Sequence, residues 1–155
     1  REHASSGEYN PHVGRAILKL YQFDPSLTNF DVVVLVLAKA LTALPENDFL
    51  DCLYLLPAHV AEKAVVAHLV DLESKLQGFD LKGIWSLYES SELKDLLTSV
   101  VGFEDFVRNY IVLALTITHK TLSVREVELA LKLTDLTSTA HKYGWKLEGD
   151  LVVFP

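Results

Sequence analysis

The stretch Asp135-Leu-Thr-Ser-Thr-Ala-His-Lys-Tyr-Gly144, followed by Trp145-Lys-Leu-Glu-Gly-Asp-Leu-Val-Val-Phe154, decides the fold. Its first half reads as a short polar helix that a glycine ends. Its second half alternates apolar and polar residues around Gly149, the signature of a β-hairpin. Whether the loop holds two or three residues stays open at this level. Trp145 and Leu147 share one face, as do Leu151 and Val153.

Upstream of this stretch the chain reads as helices. Pro11 opens one that runs to about Gln22, with Ala16, Leu20 and Phe23 as its expected buried stripe, and Asp24-Pro25 stops it. Phe30 to Leu44 begins ambiguously, because Val32-Val33-Val34 favours a strand. The apolar run is too long for a typical strand, so a buried helix ending at Pro45 is predicted. Asp48–Leu56 is a short helix. One longer helix is predicted over Ala58–Leu76, with Val65, Leu69, Leu72 and Leu76 inward and Gly78 as its stop. Leu81, Ile84, Trp85 and Tyr88 mark the next, and Glu92–Val100 a short one broken near Gly102. Phe103 to about His119 is apolar on every side in its second half, which predicts burial on every side and a joint between the upstream helices and the C-terminal unit. Thr121-Leu122 fits a short strand, and Ser123-Val-Arg-Glu126 is a capping box opening a helix over Val124–Leu133. Helix, short strand, two further helices and a terminal hairpin is the order of a winged helix.

The composition narrows what such a unit does. The chain has 155 residues, half of them hydrophobic, and a net charge of −7. A globule of this size buries roughly 70% of its unfolded surface, so a sizeable core is expected. The acidity lies in residues 1–100, which disfavours bare nucleic acid there. Cys52 is the only cysteine, which excludes an internal disulfide and fits a reducing compartment. Its apolar setting beside Asp51 predicts a buried, inert thiol. The most apolar stretch, Val32–Ala38, is far short of the roughly 20 residues a membrane span needs. No signal-peptide pattern opens the chain. Methionine is absent even at position 1, so an upstream segment is expected.

Candidate chemistry is sparse. His59 and Glu62 are helical neighbours, and so are His68 and Asp71, but the two histidines fall on opposite faces and no three ligands converge. Ser90-Ser91 with Glu89 and Glu92 reads as a helix-terminus cluster, and Asp48 with Asp51 as one face of a short helix. All seven glycines are isolated, so there is no phosphate loop. No metal, cofactor, small-molecule substrate or catalysis is expected. Lys120, Arg125, Lys142 and Lys146 are the candidate RNA contacts, yet Glu126, Glu128, Glu148 and Asp150 alternate with them as on an ordinary solvated face.

Short antiparallel helices followed by a winged helix are the plan of the PCI domain, found in subunits of the proteasome lid, the COP9 signalosome and translation initiation factor 3. The blocks Leu18-Lys-Leu-Tyr-Gln-Phe-Asp-Pro25, Lys39-Ala-Leu-Thr-Ala-Leu-Pro45 with Asp48-Phe49, Gly102-Phe-Glu-Asp-Phe-Val-Arg108 and Lys142-Tyr-Gly-Trp145 resemble the initiation-factor branch of that family. They fall in the family's order along nearly the whole chain. The resemblance implies a HEAT-like helical stack over residues 1–101 and a winged helix over 102–155. It also implies leading helices before Arg1 and a trailing tail after Pro155. The segment Leu136–Tyr143 is shorter than its counterpart, which would make a poor reading head for DNA. A non-catalytic scaffold role in translation initiation follows, in the cytoplasm with the nucleus left open. Partners would be other initiation factor 3 subunits, subunit l especially, and the small ribosomal subunit through the complex, with no membrane. The expected contact residues are Trp145, Leu151, Val152, Val153 and Phe154, on a terminal edge strand suited to sheet extension, where neighbouring winged helices of the family align. Phe154 or Val153 should face outward. The alternative is a winged-helix nucleic-acid binder.

Overall fold

The computed structural model describes residues 10–155. Residues 1–9, and the expectation that no targeting segment opens the chain, lie outside the described residues. The chain is mostly helical, as the sequence predicts, with one small antiparallel sheet. It divides into two compact units, one reaching Glu104 and the other Asp105–Pro155. Among the described residues no helix is long and apolar enough to cross a membrane.

The first unit starts with α1 (Pro11–Phe23), whose first turn is set by Pro11 and by Asn10 accepting from the His12 amide. Asp24 then accepts from the Ser26 amide and caps a 3-10 turn, Pro25–Leu27. α2 (Phe30–Leu41) is the centre of this unit and packs against α1, α3 (Asp48–Tyr54) and α5 (Ala64–Gln77). Its valines settle the strand-or-helix ambiguity through burial. Each β-branched residue costs a helix about 0.5 kcal/mol, whereas burying a valine stabilises by roughly 1.5 kcal/mol or more. Val32, Val33, Val34 and Val36 are all buried. A side chain at Gly14 would meet Val36 Cγ1 at 3.0 Å, so glycine lets α1 lie close on α2.

Two expectations fail in this unit. The stripe Ala16, Leu20 and Phe23 faces solvent, with Phe23 89% exposed, and Leu18 is buried instead. The reason is the close approach of α1 to α2 at Gly14, which puts Leu18, one turn on, on the covered side; beside it Arg15 pairs with Asp48 and Asp51, each at 3.4 Å, and Gln22 Nε2 donates to the Leu55 carbonyl. These hold the opposite side of α1 against α3. The single helix over Ala58–Leu76 is in fact two, α4 (Ala58–Ala61) and α5, separated by an extended Lys63. Val60 and Val66, six residues apart, would point well away from each other on one helix, and the break lets both be buried. Gly78 ends α5 in right-handed geometry, and the left-handed residue is Phe79, φ 58°. α6 (Leu81–Tyr88), capped by Asp80, buries Ile84 and Trp85, and α7 (Lys94–Ser99) follows. Tyr88 meets Trp85 edge-on and stacks on Phe103.

α8 (Phe103–Thr118) starts at the unit boundary. The second unit continues with β1 (Thr121–Ser123), α9 (Val124–Leu131), α10 (Thr137–Tyr143), β2 (Lys146–Glu148) and β3 (Leu151–Val153). The capping box at Ser123 and Glu126 is present in both directions. Gly149, φ 61°, and Asp150 make the two-residue hairpin loop, with the glycine at the first central position where a positive φ is needed.

Candidate functional site

The sheet order is β1-β3-β2, both pairings antiparallel. The C-terminal strand is therefore central, which corrects the expectation of a terminal edge strand. The reason is Thr121–Ser123, which pairs with β3 and is joined to it beyond the strand by the Phe154 amide donating to the Lys120 carbonyl at 3.0 Å. The free edges belong to β1 and β2 among the described residues.

Register sorts the side chains onto two faces. Leu122, Val152 and Leu147 are cross-strand partners on the inner face. Val152 is fully buried there, while Leu147, at the β2 edge, is 42% exposed. The outer face carries Leu151 and Val153 on β3, flanked by Thr121, Ser123, Lys146 and Glu148. Leu151 is 47% exposed and Val153 is partly covered.

Of Phe154 and Val153, one of which was expected to face outward, only Val153 reaches the surface, and only in part. Phe154 lies beyond β3 and is buried, its ring edge-on to Trp145 at 5.0 Å, and the Tyr143 ring is tilted against the same indole at 5.8 Å. Trp145 itself is only 6% exposed, and its indole N–H is buried with no acceptor among the described residues. These aromatic contacts take both rings out of solvent, so Trp145, Val152 and Phe154 are core residues. Of the five candidate contact residues, Leu151 and Val153 remain on the surface.

Other apolar surface escaped the sequence reading. α8 is not buried on every side: Val112 and Leu115 are buried, but Leu113 and Ile117, one turn apart, are exposed. In the first unit, the Arg15 and Gln22 contacts run α1 parallel to α3. By helical geometry, Leu20 and Phe23 then fall on the same outer side of the pair as Leu50 and Tyr54, and all four are exposed. The oily spacing was visible in the sequence, but which side faced solvent was not.

Lys120, Arg125, Lys142 and Lys146 are all exposed, as are Glu126, Glu148 and Asp150 among them. The Lys142 ammonium lies 5.0 Å from the Tyr143 ring centre. α10, the helix that would enter a groove, is seven residues long. The candidate chemical groups are engaged in structural contacts: the Ser90 hydroxyl donates to the Leu87 carbonyl, and Asp48 and Asp51 hold Arg15. Burial pushes the Cys52 thiol up to about 11, with Arg15 opposing and Asp48 and Asp51 adding. Among the described residues no group of three His, Cys, Asp or Glu is placed to hold a metal. What this geometry offers is apolar contact area.

Residues 27–155 match the model of the CSN8/PSMD8/EIF3K family. A eukaryotic translation initiation factor 3 subunit K from Anopheles gambiae is 33% identical, over 97% of this chain and 69% of that protein. The protein of the same name from Drosophila mojavensis is 32% identical, over 99% of this chain and 70% of that protein.

Proposed function

The chain belongs to the CSN8/PSMD8/EIF3K family, and from that premise we propose that it is a non-catalytic scaffold subunit of eukaryotic translation initiation factor 3, the counterpart of subunit k. It assembles in the cytoplasm with other PCI subunits, subunit l first among them, and through the complex it takes part in recruiting the small ribosomal subunit and mRNA. In this reading the helices up to about residue 101 form a HEAT-like stack and the remainder is a winged helix. The succession α8, β1, α9, α10, β2, β3 with sheet order β1-β3-β2 supports the second assignment.

The observation that carries the proposal is the outer face of the sheet, where Leu151 is half-exposed and Val153, two residues on along the central strand, is partly exposed. The open edge of β2, where Leu147 is half-exposed on the inner face, leaves main-chain groups available to a partner strand. Surface charge contributes little, because cations and carboxylates alternate along it.

Co-purification with subunit l tests this. The wild-type chain is expected to elute with that subunit and to stay bound as salt rises from about 50 to about 200 mM. Leu151→Asp is expected to weaken the complex about tenfold or more with an unchanged melting temperature. Val152→Asp is the contrasting variant, expected to unfold the second unit because it buries a charge. Undiminished binding by a folded Leu151→Asp chain would remove the sheet face from the interface. Binding to bare RNA that collapses over the same salt range would favour the nucleic-acid reading through Lys120, Arg125, Lys142 and Lys146.

A further inference from the structure

A groove of about 340 Å³ opens on the first unit between the beginning of α2, the beginning of α5 and one face of α7. Its walls are Phe30, Val34, Leu35, Val65 and Leu96, and its rim carries Asp31, Glu92 and Ser99. The volume is at the lower end of the roughly 300–1,000 Å³ of ligand clefts, room for the apolar side chains of one helical turn. Leu96 and Ser99, one turn apart on α7, form a ridge along the groove, and Glu92 joins the lining from the turn that precedes α7. Asp95 is exposed one turn before Ser99 on the same face of α7 and sets a carboxylate beside the lining residues, while Lys94 points to the side of α7 away from Leu96.

Both charged residues that line this groove, Asp31 and Glu92, are carboxylates. Asp31 already has interactions of its own, so Glu92 and Asp95 carry the argument. Lys63 lies beside the groove with its ammonium 6.0 Å from the Phe30 ring centre, so the aromatic wall already accepts one amine. We infer that this groove docks a basic amphipathic helix of a protein partner, with leucine-like side chains on the apolar floor and lysine or arginine against Glu92 and Asp95. An apolar floor with an acidic rim selects that chemistry over an acidic helix, which would place like charges together. The surface is on a different unit from the sheet face proposed above, so the two readings stand or fall separately.

The test uses the full chain and two labelled helical peptides, each with leucines at i and i+4, one flanked by lysines and one by glutamates, read by fluorescence anisotropy. The lysine peptide is expected to bind about tenfold or more tightly than the glutamate peptide. Glu92→Lys is expected to weaken the lysine peptide about tenfold and to strengthen the glutamate one. Glu46→Lys changes the net charge equally in the turn beyond the far end of α2, a helix roughly 18 Å long, and is expected to leave both affinities nearly unchanged. Equal affinity for the two peptides, or equal losses in the two variants, would overturn the inference, because the attraction would then belong to the acidic chain as a whole. Melting temperatures of both variants, unchanged from wild type, exclude unfolding as the cause.

Discussion

At the scale of single residues, Ser123 shows a local rule fully expressed. Its hydroxyl accepts from the Glu126 amide at 3.2 Å, and the Glu126 carboxylate takes both the Ser123 amide and hydroxyl. Those bonds hold the Glu126 carboxyl below the usual carboxylate range. A lowered folded pKa contributes stability that is complete above the unfolded value and is lost as pH falls through the folded one. Loss of the capping hydroxyl in Ser123→Ala is expected by itself to cost about 1 kcal/mol at neutral pH, and chemical denaturation should show the difference narrowing once the carboxylate protonates. Cys52 obeys burial. With its thiol near 11, the native chain at pH 8 should stay unalkylated by iodoacetamide, by mass spectrometry, until denaturant is added. Both residues were legible in the sequence, because the capping box spans four positions and the cysteine sits among apolar neighbours. Phe154 was not, since the ring that covers it, Trp145, lies across the hairpin.

At the scale of elements, most helices stand where periodicity puts them, and the departures have tertiary causes. The break at Lys63 is the clearest, since the apolar stripe reads continuously through it. The structure makes a sharp prediction there. Ala64 is the first residue of α5, and the residue before it is extended, the pairing that proline tolerates. Ala64→Pro is expected to be neutral or to stabilise by about 0.5 kcal/mol, measured by thermal melting. A single continuous helix would lose about 3 kcal/mol or more from the same change. α8 teaches the converse. Its oily second half suggested burial all round, yet Leu113 and Ile117 are exposed, because apolar content alone does not say how many neighbours a helix has.

For the whole molecule, the element types, the capping box at Ser123, the hairpin and the family could be read from the chain alone, since each rests on residues a few positions apart or on blocks in order. Tertiary structure alone decided which oily side of α1 and α8 faced solvent and which strand became central. For α1, close packing on α2 at Gly14 covers the side that carries Leu18, and in the sheet β1 pairs with the strand expected at the edge. Local rules measure how apolar a face is. Whether that face is covered depends on an element distant in sequence, and only packing brings that element alongside.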